Sequence, residues 1–298
     1  MMTFMNTAHV QLKLEEKVPY LTFPVLTQIP FIKHGFSTRH GGVSSGVLAT
    51  MNFGSDSGLY PDAPENIEEN YRRMAEALGV DVHSMVVSKQ VHKTNIRRVT
   101  EEDCGKGLFV PRDYDEIDGL ITNCPNVTLV TKYADCVPLY FVDTINKAIG
   151  LTHSGWRGTV AKIGQITVEE MGSAFGSRPE DIVAVIGPSI CKDCFEIGAD
   201  VAEEFIKAFP KHKEENILSY PEHPLQEGIH LREDSEKYHC DLWAANHSVL
   251  LQAGLKPEHI QISGVCTCCN SDLLFSHRRT GGKRGTLGAF LSICSENP

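Results

Sequence analysis

Three short segments of the chain hold residue types that together could bind a catalytic metal ion. They are Lys89-Gln-Val-His92, Tyr133-Ala-Asp-Cys-Val-Pro138 and Thr152-His-Ser-Gly-Trp-Arg-Gly158. Two imidazoles and one thiolate suit zinc, and three protein ligands leave a fourth position for water, as in catalytic zinc sites. Zinc at such a site can lower the pKa of a bound water to roughly 7. The residue types therefore make His92, Cys136 and His153 candidate metal ligands.

The same residues could also be unrelated to one another. The chain contains 13 histidines and 10 cysteines, and the three candidates lie far apart, without the compact spacing of a zinc finger. Cys136 would then be a buried apolar thiol, and the two histidines would be ordinary core or surface groups. Residue chemistry alone leaves both interpretations open.

A basic segment, Phe275 to Gly285, could bind an anion. Arg278 and three further cations lie among its glycines, although the chain has a net charge of -10. Arginine binds phosphate bidentately, and glycine lets backbone amides approach an anion. Arg278 is thus a candidate phosphate ligand, and the alternative is a solvated basic loop.

A second Gly-rich loop, Ser37 to Gly46, is similar but less charged. Its Arg39 could orient an anion, and Ser44 could donate a hydrogen bond to it. The alternative is an ordinary turn.

Five further cysteines have suggestive spacing. Cys191 and Cys194 form a C-x-x-C pair, and Cys266-Thr-Cys-Cys269 adds three sulfurs, including that of Cys268. Together they could form a structural zinc site or a redox pair. Zinc-ribbon spacing and a thioredoxin-like context are both missing, so the pattern favours free thiols packed in the interior.

Bulk properties limit the function classes. The chain has 298 residues, 41% of them hydrophobic and 22% charged, as in an ordinary globular protein. The acidic balance argues against nucleic acid as a partner. With no signal peptide and no apolar stretch of membrane-spanning length, we expect a cytoplasmic protein without membrane association. No serine-hydrolase, Walker A or dinucleotide motif occurs in its proper context.

The elements that must position these residues alternate between short apolar strands and amphipathic helices. Helices are predicted at 62–79, 160–175, 201–209 and 240–252. Strands are predicted at 84–90, 119–122, 127–132, 137–142, 148–152, 182–186, 260–263 and 287–293. We predict one α+β domain over 1–298, with 1–20 as a peripheral N-terminal segment and 211–238 as a charged surface excursion. The ligands would meet in a cleft at the edge of a sheet.

The motifs resemble those of the laccase-domain family. Beyond the three ligand segments, the resemblance includes His34-Gly-Phe-Ser-Thr-Arg39, Gly41-Gly-Val-Ser44, Asn52, Ile186-Gly-Pro-Ser189 and Phe275-Ser-His-Arg-Arg279. It runs from about Phe31 to Leu291. Two departures, Phe53 and Cys268, do not touch the proposed ligands.

This resemblance implies both a function and a fold. Members of the family, long named multicopper polyphenol oxidases, are understood as zinc-dependent purine nucleoside phosphorylases with adenosine deaminase activity. Their zinc ligands fall on His92, Cys136 and His153 of this chain. The implied fold is a layered α/β/β/α domain with mixed sheets, distantly similar to toxin deamidases that use a Cys/His pair.

From the resemblance we expect purine nucleosides (adenosine, inosine or methylthioadenosine) and inorganic phosphate as substrates. Arg39, Ser44, Asn52 and Arg278 are the expected substrate and phosphate contacts, and Cys136 and His153 the catalytic ones. Asp135 could be the acid/base carboxylate of deamination, in which metal-activated water attacks purine C6, or a structural acceptor for backbone amides. The oligomeric state stays open between a monomer and a small homo-oligomer.

Three alternatives remain at this stage. A copper-dependent phenol oxidase would need paired His-x-His motifs, which the sequence lacks, so phenol oxidation would require adventitious Cu²⁺. A peptidoglycan-precursor editing hydrolase would use Cys136 as nucleophile and His153 as base. A binding module would hold nucleosides without turnover.

Overall fold

The computed structural model describes residues 5–15, 18–54, 60–219 and 237–294. Over these residues the strands are β1 (Gln11–Glu15), β2 (Val18–Thr22), β3 (Ile32–Ser37), β4 (Met85–Val87), β5 (Ile96–Arg98), β6 (Gly119–Thr122), β7 (Thr128–Tyr133), β8 (Val137–Asp143), β9 (Ala148–Ser154), β10 (Ile182–Ile186), β11 (Glu196–Gly198), β12 (Leu218–Ser219), β13 (Lys237–Cys240), β14 (Ile260–Ile262) and β15 (Leu287–Ile293). The α-helices are α1 (Pro24–Thr27), α2 (Pro64–Leu78), α3 (Trp156–Val160), α4 (Ile163–Phe175), α5 (Ala199–Ala208), α6 (Leu242–Gln252) and α7 (His277–Thr280).

Two six-stranded sheets form the centre of the fold. The first has the order β1-β2-β3-β15-β7-β4, and the second has the order β14-β10-β8-β9-β6-β5. Most neighbours run antiparallel, whereas β4 with β7, β5 with β6 and β10 with β14 run parallel. A small third sheet has the order β11-β13-β12. The mixed α+β class predicted from the sequence is confirmed.

Side chains that alternate along the central strands divide the core into layers. In β15, Leu287 and Leu291 pack between the two sheets, against residues such as Leu151 of β9, whereas Phe290 points to the opposite face. This alternation follows from the two-residue period of a strand. On the outer face of the first sheet, Phe290 packs against α2. On the outer face of the second sheet, buried apolar side chains pack against α4, α5 and α6. The resulting order of layers is α/β/β/α.

Helix α2 shows how the sequence fixes an element and its orientation. Pro64 begins the helix, where its missing N–H has no consequence, and Gly79 ends it with a φ of 66°. Ile67, Tyr71 and Met74 form its buried face against the first sheet. The helix thus lies within the predicted range 62–79.

Other elements differ from the prediction. The predicted helix 160–175 is divided into α3 and α4 at Lys162, whose φ is 58°. Cys240 belongs to β13 and not to the helix predicted at 240–252. The predicted peripheral segment 1–20 supplies the edge strand β1, but its residues 18–20 are buried in β2. Most of the predicted excursion 211–238 lies outside the described residues.

None of the helices in the described part of the chain combines the length and apolar character that a membrane crossing requires.

Candidate metal and active site

The three predicted ligands meet where the chain passes between the two sheets. His92 follows β4 in a loop, with a φ of 63°, and Cys136 lies in the turn that leads from β7 in the first sheet to β8 in the second. His153 lies in β9 of the second sheet. Their ligand atoms are all within 4.8 Å of one another. Cys136 and His153 therefore lie at strand ends and His92 in the loop past one, where the chain crosses from the first sheet to the second.

The spacing of the three side chains suits one tetrahedral ion. Cys136 Sγ lies 3.9 Å from His92 Nε2, and zinc–ligand bonds of about 2.3 Å to sulfur and 2.0–2.1 Å to nitrogen imply about 3.6 Å. The rings of His92 and His153 are nearly perpendicular, at 84°, with centroids 4.8 Å apart. A Cβ on Gly155 would lie 2.8 Å from His92 Cδ2 and 3.3 Å from Cys136 Sγ. Only glycine lets the ligands approach this closely.

A buried carboxylate that sequence analysis missed, Asp118, holds two of the ligands in place. Its Oδ1 accepts from His153 Nδ1 at 2.9 Å and from the backbone N–H of His92 at 2.9 Å. Its Oδ2 accepts from the N–H groups of Val91 and Lys93. With Nδ1–H committed to Asp118, His153 presents Nε2 as its metal-binding atom. Asp118 precedes a predicted strand directly, and nothing in its local sequence marks it as functional.

The shifted pKa values of Cys136, His153 and Asp118 favour a thiolate at Cys136, the form of cysteine that binds metal. Burial opposes ionisation of Cys136, but the adjacent His153 and His92 lower the thiol pKa to about 6. Burial would lower the pKa of His153, yet Cys136 and Asp118 raise it to about 9. Burial also opposes the charge on Asp118. The pKa of its carboxyl is nevertheless lowered, and among the stabilising contacts the hydrogen bond to His153 has the largest effect. Thiolate and carboxylate thus lie on either side of one imidazole.

Asp135, the predicted acid/base carboxylate, is engaged on both oxygens. Oδ1 accepts from Thr267 Oγ1 at 2.6 Å, and Oδ2 accepts from the backbone N–H of Arg278 at 2.7 Å. The residue is 9% exposed and has a φ of 87°. This geometry matches the alternative stated for it, a structural acceptor, because both oxygens hold other parts of the chain and Asp135 does not line the cleft.

The guanidinium groups of the two predicted phosphate-binding arginines are bound to backbone carbonyls. Arg39 donates to Ser271 at 2.9 Å and to Ala49, and stacks over Phe275. Arg278 donates to Cys194 at 3.2 Å and to Glu196 at 2.8 Å. Both arginines therefore join loops, and neither lines the cleft above the candidate ligands.

Ser44 and Asn52 also have structural partners. Ser44 is buried and its Oγ accepts from Asn70 Nδ2. Asn52 is 1% exposed, donates to Asp62, and accepts from the backbone N–H of Thr286 at 2.9 Å. Thr286 lines the cleft, so Asn52 acts on the site only by positioning that wall.

The cleft above the metal ligands has a volume of about 380 Å³ and carries cations that were not predicted. Lys89, Lys132 and Arg284 line it together with His92, Cys136 and His153. Burial lowers the pKa of Arg284, while Asp135 and Cys136 act in the opposite direction. Its Nε is buried and has no hydrogen-bond partner among the described residues. The segment predicted to bind an anion thus reaches the cleft through Arg284 and not through Arg278.

Comparison with known proteins agrees with this geometry. A family described as multi-copper polyphenol oxidoreductase laccase matches residues 33–294. The chain belongs to this laccase-domain family. A relative from Bacillus subtilis, named purine nucleoside phosphorylase YlmD, is 34% identical over 265 residues, which cover 87% of each chain. Another, from an unknown prokaryotic organism and named adenosine deaminase RL5, is 34% identical over 84% of this chain and 90% of its own.

Solved structures of the laccase-domain family share the fold. The crystal structure of the Bacillus licheniformis hypothetical protein YfiH superposes with a TM-score of 0.82 at 31% identity. The match covers 95% of this chain and 98% of that one. The layered arrangement of sheets and helices is therefore that of the family, along nearly the whole chain.

Proposed function

We propose that this protein is a zinc-dependent purine nucleoside phosphorylase acting on adenosine or inosine, with methylthioadenosine as a further candidate. A phosphate oxygen would attack ribose C1′ while the bond from C1′ to purine N9 breaks. The electron pair leaves with the base, and the products are the free base and ribose 1-phosphate. The observation that carries the proposal is the convergence of His92, Cys136 and His153 beneath a cleft lined by cations. The names of the relatives support the same reaction class.

His92, Cys136 and His153 would hold the zinc ion, and Asp118 would fix the tautomer of His153. When bound, zinc supplies a Lewis acid at the floor of the cleft. Three protein ligands leave room for one more, and the cleft opens directly above them. The protein fixes the ligands before substrate binds. Asp118 accepts the backbone N–H of His92, and Gly155, which lacks a side chain, leaves room for His92 and Cys136 to approach each other.

Lys89, Lys132 and Arg284 are the proposed phosphate contacts, in place of Arg39, Ser44, Asn52 and Arg278. All three line the same cleft as the metal ligands. Phosphorolysis develops positive charge on the ribose, so an anion held beside C1′ both reacts and stabilises that charge. Arg284 Nη1 donates to Thr286 Oγ1, another residue of the cleft wall, and this bond holds the guanidinium charge beside the cleft.

Adenosine deamination is proposed as a side activity. It is supported by the name of the relative RL5 and by the donor set, which suits the activation of water. Because Asp135 holds Thr267 and the backbone of Arg278 and does not line the cleft, the acid/base role is not proposed for that carboxylate.

The test is base release from inosine and adenosine with and without phosphate, with ammonia measured in parallel. We expect hypoxanthine only in the presence of phosphate, and loss of activity in Cys136→Ala, which should retain its fold. Cys104→Ala, a cysteine outside both groups of potential ligands, is the control and should stay active. Base release independent of phosphate would make the protein a hydrolase, and no base release from any purine nucleoside would overturn the proposal.

A cysteine hydrolase acting on peptidoglycan precursors is the second candidate, because Cys136, His153 and Asp118 also form a nucleophile, base and orienting acid. Activity that survives complete removal of metal and disappears on alkylation of Cys136 would favour it.

A multicopper oxidase lacks comparable support. Among the described residues, the groups able to hold a metal contain two histidines in all, both in the site already described.

A further inference from the structure

A second group of four sulfurs lies on the outer side of the second sheet. Cys191 precedes a short 3-10 helix that follows β10, and Cys194 is the last residue of that helix. Cys266 and Cys269 lie at either end of a turn that follows β14. Each pair has C-x-x-C spacing, and the four Sγ atoms lie within 4.8 Å of one another. The two pairs lie far apart in the sequence, and they meet because β10 and β14 are parallel neighbours in one sheet.

The sulfur positions suit a single tetrahedral ion better than a disulfide. Zinc–sulfur bonds of about 2.3 Å in a tetrahedron place the sulfurs about 3.8 Å apart. Cys194 Sγ and Cys269 Sγ are 3.5 Å apart, well beyond the S–S bond length of about 2.05 Å. All ten cysteines of the chain are free thiols. An iron–sulfur cluster with several iron atoms would require the four cysteine sulfurs to lie farther apart.

The backbone around the group already donates to sulfur. The N–H groups of Cys191 and Cys269 both point at Cys266 Sγ, at 3.3 Å and 3.4 Å. Such bonds stabilise a thiolate, which is the metal-binding form of cysteine. The earlier expectation of thiols packed in the interior fits Cys266 and fails for Cys269, which is exposed.

We propose that Cys191, Cys194, Cys266 and Cys269 form a second metal site, a tetrathiolate site that holds one zinc ion. Four protein ligands leave no open position, so the site is structural and not catalytic. Cys268 is outside the group of four although it lies in the same turn.

The ion would tie together the two loops that support the candidate active site. Thr267, between two of the cysteines, donates to Asp135, the residue before the ligand Cys136. Arg278 donates to the carbonyl of Cys194 and, through its backbone N–H, to Asp135. A metal at the four sulfurs would therefore brace the turn that presents Cys136.

Metal content of the purified full chain, measured by elemental analysis under reducing conditions, tests the site. We expect two zinc ions per chain in the wild type and one in Cys269→Ser, whose exposed side chain makes the change mild for folding. Cys268→Ser is the control from the same turn: the Cys268 thiol contacts Cys194 but lies outside the group of four, so this variant should keep both ions. Cys136→Ala should lose one ion from the first site and keep the second, so the two sites are counted separately.

A spectroscopic measurement keeps the test independent of variant stability. Zinc X-ray absorption of the wild type should show sulfur as the majority ligand, since two sites together supply five thiolates and two imidazoles. One zinc per chain with mainly nitrogen ligands would overturn the proposal, as would intact-mass evidence for a disulfide within the group. Neither result bears on phosphorolysis at the first site, so the two proposals fail separately.

Discussion

Asp118 Oδ1 lies 2.9 Å from His153 Nδ1, and the same carboxylate accepts the backbone N–H groups of three consecutive residues around His92. One fully buried side chain therefore sets the ring orientation of one metal ligand and the backbone of another. In metal sites such outer partners strongly influence affinity.

Replacement of Asp118 by asparagine should weaken zinc binding at the first site by about 10- to 100-fold. Asparagine keeps the shape of the side chain but removes the negative charge opposite His153 and one acceptor oxygen. Competition with a chromophoric chelator measures the affinity. Asp143→Asn is the control, because Asp143 is equally buried but accepts the amides of Ile145 and Asn146 in a distant turn. Equal zinc affinities in the two variants would contradict the role of Asp118.

Cys136 of the metal-free protein should react with iodoacetamide at unusually low pH. The thiolate is the reactive form, and its fraction rises as the pH rises through the pKa. Burial raises the pKa of Cys136, but the two histidines bring it to about 6, from a usual value near 9.0. The alkylation rate, followed by peptide mass spectrometry, should therefore have its midpoint near pH 6.

Cys294 is the internal reference for this measurement, since burial raises the pKa of its thiol. It should become reactive only at high pH. Added zinc should protect Cys136 and leave Cys294 unaffected. A midpoint near pH 9 for both cysteines would show that the histidines do not stabilise the Cys136 thiolate.

Much of this architecture follows from local sequence, and the reasons are visible in particular residues. Strands such as β10 and β15 are short apolar runs bounded by turn residues, and their predicted limits match the structure. The ligand trio followed from residue chemistry and family resemblance. Asp118 could not be found this way, because its role depends on three backbone amides and a ring that meet only in the folded chain.

The proposed phosphate contacts show the same limit of prediction from sequence. Arg278 and Arg284 belong to one basic segment, and their local sequences do not distinguish them. Arg278, in helix α7, donates to the carbonyl groups of Cys194 and Glu196. Arg284, after the turn that follows α7, lines the cleft. Composition indicated an anion-binding segment, and only tertiary packing selects the residue.

Gly155→Ala should prevent metal binding at the first site while the protein remains folded. The added methyl would lie 2.8 Å from His92 Cδ2 and would displace that ligand. Zinc content and the thermal midpoint measure the two effects. Gly172→Ala in α4 is the control, because its Cβ meets a single neighbouring atom, Ser177 O, at 3.3 Å. Full zinc occupancy in Gly155→Ala would contradict the close approach.

Arg284→Ala should raise the KM for phosphate by about 10- to 100-fold, as expected for a charge-assisted hydrogen bond of about 1.5–3 kcal/mol. The KM for nucleoside should change less. Arg279→Ala is the control from the same basic segment, since Arg279 is exposed and does not line the cleft. Arg278→Ala should instead lower the thermal midpoint, because it removes two bonds between loops. A phosphate KM that depends on Arg278 and not on Arg284 would reverse this assignment.

The position of β15 also has a consequence for biosynthesis. It pairs with β3 on one side and β7 on the other, so in the described part of the chain these two early strands are joined through the strand that comes last in sequence. A ribosome releases His92, Cys136 and His153 long before β15 emerges. The nascent chain thus holds these candidate metal ligands on an unfinished sheet, and long-range pairing of this kind is slow. If the chain binds zinc as proposed, capture of the ion and closure of the sheet would be competing steps during synthesis.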